Sequence, residues 1–241
     1  MRTLLLAALV GGALIAHAGI AAAATCQGLP ATMVGTNGND HLKGSSGRDV
    51  IVGLGGDDTI ESFSGDDRIC GNGANDKLLA GPGVDKLDGG SGHDVLKGGA
   101  DADWLYGGPS VDSFWPGSGN DVVSGSGTCG HEWVHYENAP GPLNIDLESG
   151  QANGTDLLYA VLDVVGSRFN DVIKGNEESN VLKLGKGNDK GVGRTGSDTI
   201  FGGPGADDLD GGPGANTNDG GDGNDHCLNP DPVSGALHCE S

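Results

Sequence analysis

Between residues 35 and 124 one apolar residue returns every nine positions: Leu42, Ile51, Ile60, Ile69, Leu78, Leu87, Leu96, Leu105, Phe114 and Val123. Its immediate neighbours include many Lys, Glu, Asp, Ser and His residues. In a strand the neighbours of an inward side chain point outward, so each unit predicts a very short strand with its centre in a narrow interior and its flanks in solvent. The six residues before each strand are rich in glycine and end in aspartate, as in GTNGNDHLK (35–43), GSSGRDVIV (44–52), GLGGDDTIE (53–61) and GGSGHDVLK (89–97). Glycine adopts φ > 0 freely, which a tight turn with converging carbonyls requires. Each unit therefore predicts a Gly-Asp turn followed by a strand. Two units make one coil, and stacked coils give two parallel sheets facing each other.

The aspartates keep the same period: Asp40, Asp49, Asp58, Asp67, Asp76, Asp85, Asp94, Asp103, Asp112 and Asp121. Turns on one edge of such a stack recur every eighteen residues. Asp40, Asp58, Asp76, Asp94 and Asp112 are thus expected on one edge, and Asp49, Asp67, Asp85, Asp103 and Asp121 on the other. The period breaks over 125–165 and resumes over 166–228, where one edge carries Asp171, Asp189, Asp207 and Asp225 and the other Asn180, Asp198 and Asn216. Stacked carboxylates and backbone carbonyls are hard oxygen donors in flexible number, which suits multiple Ca²⁺ ions better than zinc or magnesium. All fifteen of these aspartates are candidate metal ligands. The asparagines offer a neutral oxygen, so their edge is expected to bind more weakly. Gly191 and Asn218 stand at inward positions, which predicts looser packing there. One buried aliphatic residue per nine does not offset the cost of ordering nine residues, so ion binding and folding are expected to be one event.

Composition sharpens this picture. The chain of 241 residues has 48 glycines, 4% aromatics and a formal charge of −21. Such a composition resembles that of disordered chains, but a disordered segment has no reason to hold its aspartates in phase. The acidic balance argues against nucleic acid as a partner. Residues 1–24 read as a cleaved secretory signal peptide: Arg2, an apolar run from Leu4 to Ile20, then small residues before Thr25. No later run is long and apolar enough to be a transmembrane segment. The expected localisation is extracellular. All five cysteines follow the cleavage site, and export makes disulfides plausible. Cys227 with Cys239 closes a short loop and is the first expected pair. Cys26 with Cys70, tying a cap over 25–34 to the stack, is the second, and Cys129 is left over. Residues 229–241 form a Pro-containing tail.

The repeats resemble the hemolysin-type (RTX) calcium-binding nonapeptide G-G-x-G-x-D-x-U-x, over 35–124 and 166–228. The start TCQGLPATMVGTNGND is similar to that of exported actinobacterial members. The resemblance implies an all-β fold, a parallel β-roll or right-handed β-solenoid with calcium in the turns, which folds outside the cell. The segments VHYENAPGPLNIDLESG (134–150) and VVGSRFNDVIKG (164–175) resemble the strand-containing insert between repeat blocks of such proteins. Many relatives carry an enzyme or toxin domain, for which this chain has no room.

Two features suggest other functions. HEWVH (131–135) matches the H-E-x-x-H motif of zinc hydrolases, which works only on a helix. Here Trp133–Tyr136 reads as a strand, which splays the two histidines. Trp104, Tyr106 and Trp115 occupy outward positions of adjacent repeats. They are expected to lie beneath the insert, through Trp133, Leu143, Ile145 and Leu147. The alternative is a carbohydrate- or surface-binding adhesin module built on the three aromatics. The leading expectation is a secreted, non-catalytic calcium-binding module.

Overall fold

A computed structural model describes residues 24–125, 130–229 and 236–240. The expected signal peptide (save Ala24), Cys129 and much of the tail lie outside these residues. The described part is all β, with no helix, and forms a β-solenoid. Two long sheets face each other, one of thirteen strands and one of eleven. Coils advance by eighteen residues. In one sheet Val50–Gly55, Arg68–Gly73 and Lys86–Ser91 pair in parallel, which aligns Ile51, Ile69 and Leu87. In the other, Lys77–Pro82, Val95–Ala100 and Ser113–Ser118 pair likewise, aligning Leu78, Leu96 and Phe114.

The core is one column of side chains between the sheets. Ile51, Ile60, Ile69, Leu78, Leu96, Phe114 and Val123 are fully buried, as the nine-residue pattern predicts. The outer faces are mostly wet, except at the start of the chain. There Cys26, Val50, Val52 and Cys70 form a second buried cluster on the outside of one sheet. The short hairpin Thr25–Cys26 and Leu29–Pro30 sits over it, fixed by a Cys26–Cys70 disulfide. A Cys227–Cys239 disulfide holds the other end.

Residues 130–165 do not leave the solenoid. Trp133–His135 and Asp163–Val165 add successive strands to one sheet, placing Val134 and Val164 in line with Phe114 and Leu182. The other sheet takes a meander. Asp156–Tyr159 pairs in parallel with Val122–Ser124. Gln151–Ala152 then runs antiparallel to it and to Asn144–Asp146, and Asn144–Asp146 pairs in parallel with Val172–Lys174. The core is continuous through Leu143, Ile145, Leu147, Leu158 and Val164.

Three expectations need correction. Leu143, Ile145 and Leu147 point into the core and do not cover the aromatics: Trp104 and Tyr106 remain 44% and 46% exposed. Nor do the three aromatics form one patch. Trp104 and Tyr106 lie in the thirteen-stranded sheet and Trp115 in the eleven-stranded one, because nine residues are half a coil and adjacent repeats face opposite ways. Both faces of Trp115 are occupied, by Lys97 Nζ at 4.5 Å and by the His135 ring stacked at 3.9 Å. Finally, Gly191 is not a packing defect. A methyl group there would come within 2.8 Å of Ile200 and 3.0 Å of Leu184, and Leu184, two residues after the inward Leu182, is fully buried.

Candidate calcium-binding turns

The aspartates expected on each edge do stack, and they are linked through the backbone. The N–H of Asp40 donates to Asp58 Oδ1 at 2.8 Å, and the same bond repeats from Asp58 to Asp76, Asp76 to Asp94 and Asp94 to Asp112. On the opposite edge it runs from Asp49 to Asp67, Asp85, Asp103 and Asp121. Further along the chain Asp171, Asp189, Asp207 and Asp225 form a third run. Asn180, Asp198 and Asn216 form a fourth. A nine-residue unit fixes this geometry, since each turn sits one coil from its like.

One carboxylate oxygen is thereby used. The second is buried and accepts no hydrogen bond from the protein in Asp58, Asp67, Asp76, Asp85, Asp94, Asp103, Asp112, Asp121, Asp189, Asp198, Asp207 and Asp225. Buried polar groups are almost always paired, so a repeated orphan oxygen marks a place for a ligand. Its surroundings are oxygen. A Cβ added to Gly53 would run into Asp58 Oδ2 and the Gly71 carbonyl, and one added to Gly89 into Asp94 Oδ2 and the Gly107 carbonyl. Gly53 and Gly89 leave no space for a side chain because a carboxylate and the carbonyl of the next coil converge on them. Among the described residues no three His, Cys, Asp or Glu side chains cluster as a metal centre. The donor set is paired carboxylates with main-chain carbonyls, which is the chemistry of a hard cation such as calcium.

The electrostatics agree. Burial, reinforced by the charges of neighbouring carboxylates, pushes Asp103 up to about 8 and Asp76, Asp85 and Asp112 up to about 7. Asp189 reaches about 7 and Asp207 about 6 in the same way. The backbone N–H donated by the preceding aspartate opposes the shift without cancelling it. A divalent cation among these groups would remove both the desolvation penalty and the repulsion.

Three predicted residues are arranged differently. Asp40 Oδ2 accepts the N–H of Thr36 at 2.6 Å and its hydroxyl at 2.8 Å. Asp49 Oδ2 accepts the same two groups from Ser45 at 2.7 and 2.9 Å. Asp171 receives the N–H and hydroxyl of Ser167, on Oδ2 and Oδ1 respectively. The asparagines also differ from expectation, because their amide groups act as donors. Asn216 Nδ2 donates to the carbonyls of Gly212 and Asn229, and Asn180 Nδ2 donates to that of Leu162.

Other acidic residues extend the runs without matching the repeat. Glu132 is buried, and its Oε2 accepts the N–H of Asp112 at 2.6 Å. Asp156 Oδ1 accepts that of Asp121 at 3.1 Å, and its Oδ2 takes the buried Tyr136 hydroxyl at 3.0 Å. Glu240 accepts the N–H of Asp225 at the far end. Period counting missed them because longer loops precede them. Within HEWVH, Trp133–His135 is a strand and no residue is helical. His131 Nδ1 lies 3.0 Å from Asp163, His135 stacks on Trp115, and Glu132 belongs to the carboxylate run.

Comparison with curated proteins found no match. The family model described as the RTX calcium-binding nonapeptide repeat matches residues 34–69, 61–96, 88–123, 163–191, 185–217 and 192–227, which is more than half of the chain. With the stacked Gly-Asp turns and their orphan carboxylate oxygens, this match places the chain in the family of RTX calcium-binding nonapeptide-repeat proteins.

Proposed function

We propose that this chain is an exported protein that binds several calcium ions between its stacked turns, folds as it does so, and has no catalytic centre of its own. The observation that carries the reading is the column of buried aspartate oxygens with no donor from the protein. Bound calcium supplies positive charge where carboxylates would otherwise repel one another. The chain's own part is to hold one oxygen of each carboxylate by a backbone N–H, leaving the other aimed at the carbonyls of the neighbouring coil.

Export is supported by the signal-like residues 1–24 and by two disulfides, which persist in oxidising compartments. The division that fits is a cap over 25–34, repeats over 35–124, an insert over 125–165, repeats over 166–228 and a tail over 229–241. Extracellular calcium modules bind at about 10⁻⁴–10⁻³ M, and cooperative uptake in that range is expected. Far-UV circular dichroism of chelator-stripped protein during a calcium titration tests the reading, with the disulfides intact and reduced. The β signal should appear cooperatively with calcium. Stripped protein with a complete β spectrum and an unchanged melting temperature would overturn it.

A further inference from the structure

We propose that the residue four positions before the aspartate of each turn selects between a divalent cation and hydrogen-bond donors, and that turns led by Thr36, Ser45 and Ser167 take no ion of their own. The inference rests on the calcium reading above and refines it turn by turn.

Two turn conformations occur, and the carboxylate follows the backbone. In each of the twelve turns whose aspartate keeps an unpartnered oxygen, the residue four positions before that aspartate has positive φ. In most it is glycine. In four it is not: Leu54 at 85°, Phe63 at 74°, Asn72 at 77° and Arg194 at 71°. Positive φ is costly for side chains such as Leu and Phe and persists only where the surroundings require it. These aspartates are at least nine-tenths buried, so the free oxygen is held away from water and aimed at carbonyls.

In the turns led by Thr36, Ser45 and Ser167 the residue is outside the positive-φ region. Its N–H points inward to the aspartate, and its hydroxyl adds a second donor. The same hydroxyl also accepts the N–H two residues on, at 3.1 Å for Thr36, 3.2 Å for Ser45 and 3.1 Å for Ser167. Two of these three linked hydrogen bonds end on the carboxylate and the third orients the hydroxyl, and a cation would have to displace donors that present positive charge. A fourth turn is closed similarly, with the N–H of Asn176 on Asn180 Oδ1 at 2.9 Å.

The positions of the closed turns are regular. Each of the four runs begins with one: Asp40, Asp49, Asp171 and Asn180. Before Asp40, Asp49 and Asp171 no repeat aspartate precedes in the same stack, so a cation there would have repeat carboxylates on one side only. Donors from the chain itself fill that end. The runs thus start from turns that need no metal, and ions add from the second turn onward.

Native mass spectrometry of the full chain with saturating calcium chloride tests this. Leu54→Ser and Asn72→Ser place a hydroxyl donor in turns that already bear an exposed or half-exposed side chain, and each should lose one ion. Ser45→Gly should gain one. Circular dichroism checks that each variant keeps its β signal. If the wild-type chain binds ions and the variants bind the same number, the inference fails while the calcium reading stands. If the wild-type chain binds none, both fail.

Discussion

Arg194 grips both oxygens of Asp146, with Nη1 and Nη2 each at 2.8 Å across 48 residues of chain. Nη1 also donates to the Gly175 carbonyl and pairs with Glu148 at 3.0 Å. Hydrogen bonding to the guanidinium holds the Asp146 carboxyl below its usual range. The contact ties the meander strand Asn144–Asp146 to a turn two coils further on. Arg194→Ala should cost about 1–2 kcal/mol, the value of a charged bidentate pair discounted for its partial exposure. Thermal melts in saturating calcium measure it. Arg194→Lys should recover only part, since an ammonium cannot make the paired contact. An unchanged melt for both variants would show that the pair contributes nothing.

Without calcium, the folding equilibrium should respond to pH in the direction opposite to ordinary acid denaturation. Asp76, Asp85, Asp103, Asp112 and Asp189 have folded-state values of about 7 to 8, above the unfolded value of 3.8. The folded state then binds more protons than the unfolded one. This contribution is fully present below about pH 4 and is lost as pH rises through 6 to 8. In chelator, β signal in far-UV circular dichroism should be gained as pH falls from 8 to 5. With calcium present, protons compete for the same oxygens, so apparent affinity should weaken over that interval. A chelated protein that gains stability as pH rises would contradict the assignment.

Glu132 should behave as a structural acceptor. Glu132→Ala leaves the buried N–H of Asp112 without its acceptor and should cost about 1–3 kcal/mol. Glu132→Gln keeps an oxygen in place and should cost less. Any peptidase activity in a preparation should be the same for wild type and Glu132→Gln. Its selective loss in the variant would restore the zinc-hydrolase reading of HEWVH.

The two disulfides should differ in weight. Cys26–Cys70 spans 44 residues and Cys227–Cys239 spans 12. Loop-closure entropy gives about 4 and about 3 kcal/mol respectively. The first also pins the outer cluster of Val50 and Val52 under the cap. Replacing Cys26 and Cys70 together by Ser should lower the calcium-saturated melt more than replacing Cys227 and Cys239. The reverse order would mean that the cap docks without its disulfide.

Much of the architecture could be read from single residues. The column from Ile51 to Val123 points inward because one apolar residue per nine allows only one inward position per strand. The pairing of Asp58 with Asp76, and of each aspartate with its like, follows from two units per coil. Both disulfide pairs were expected from spacing and from the location of the cap. The 125–165 segment was not legible in the same way. Its strands add to both sheets, but Gln151–Ala152 runs antiparallel, and no periodicity announces a chain that overshoots and turns back. Trp104, Tyr106 and Trp115 are neighbours in the repeat but not in space, since adjacent repeats belong to opposite sheets.

The sequence by itself determined the period, and the period determined the coil, the inward column and the stacking of carboxylates eighteen residues apart, because a strand and a Gly-Asp turn leave the backbone few other choices. Only the tertiary structure decided which carboxylate oxygens are left without a donor. That depends on the sign of φ at one residue per turn and on the carbonyls of the next coil. It also brought Glu132 and Asp156 into the runs, since a longer loop can deliver a carboxylate to the same place once neighbouring coils fix where that place is.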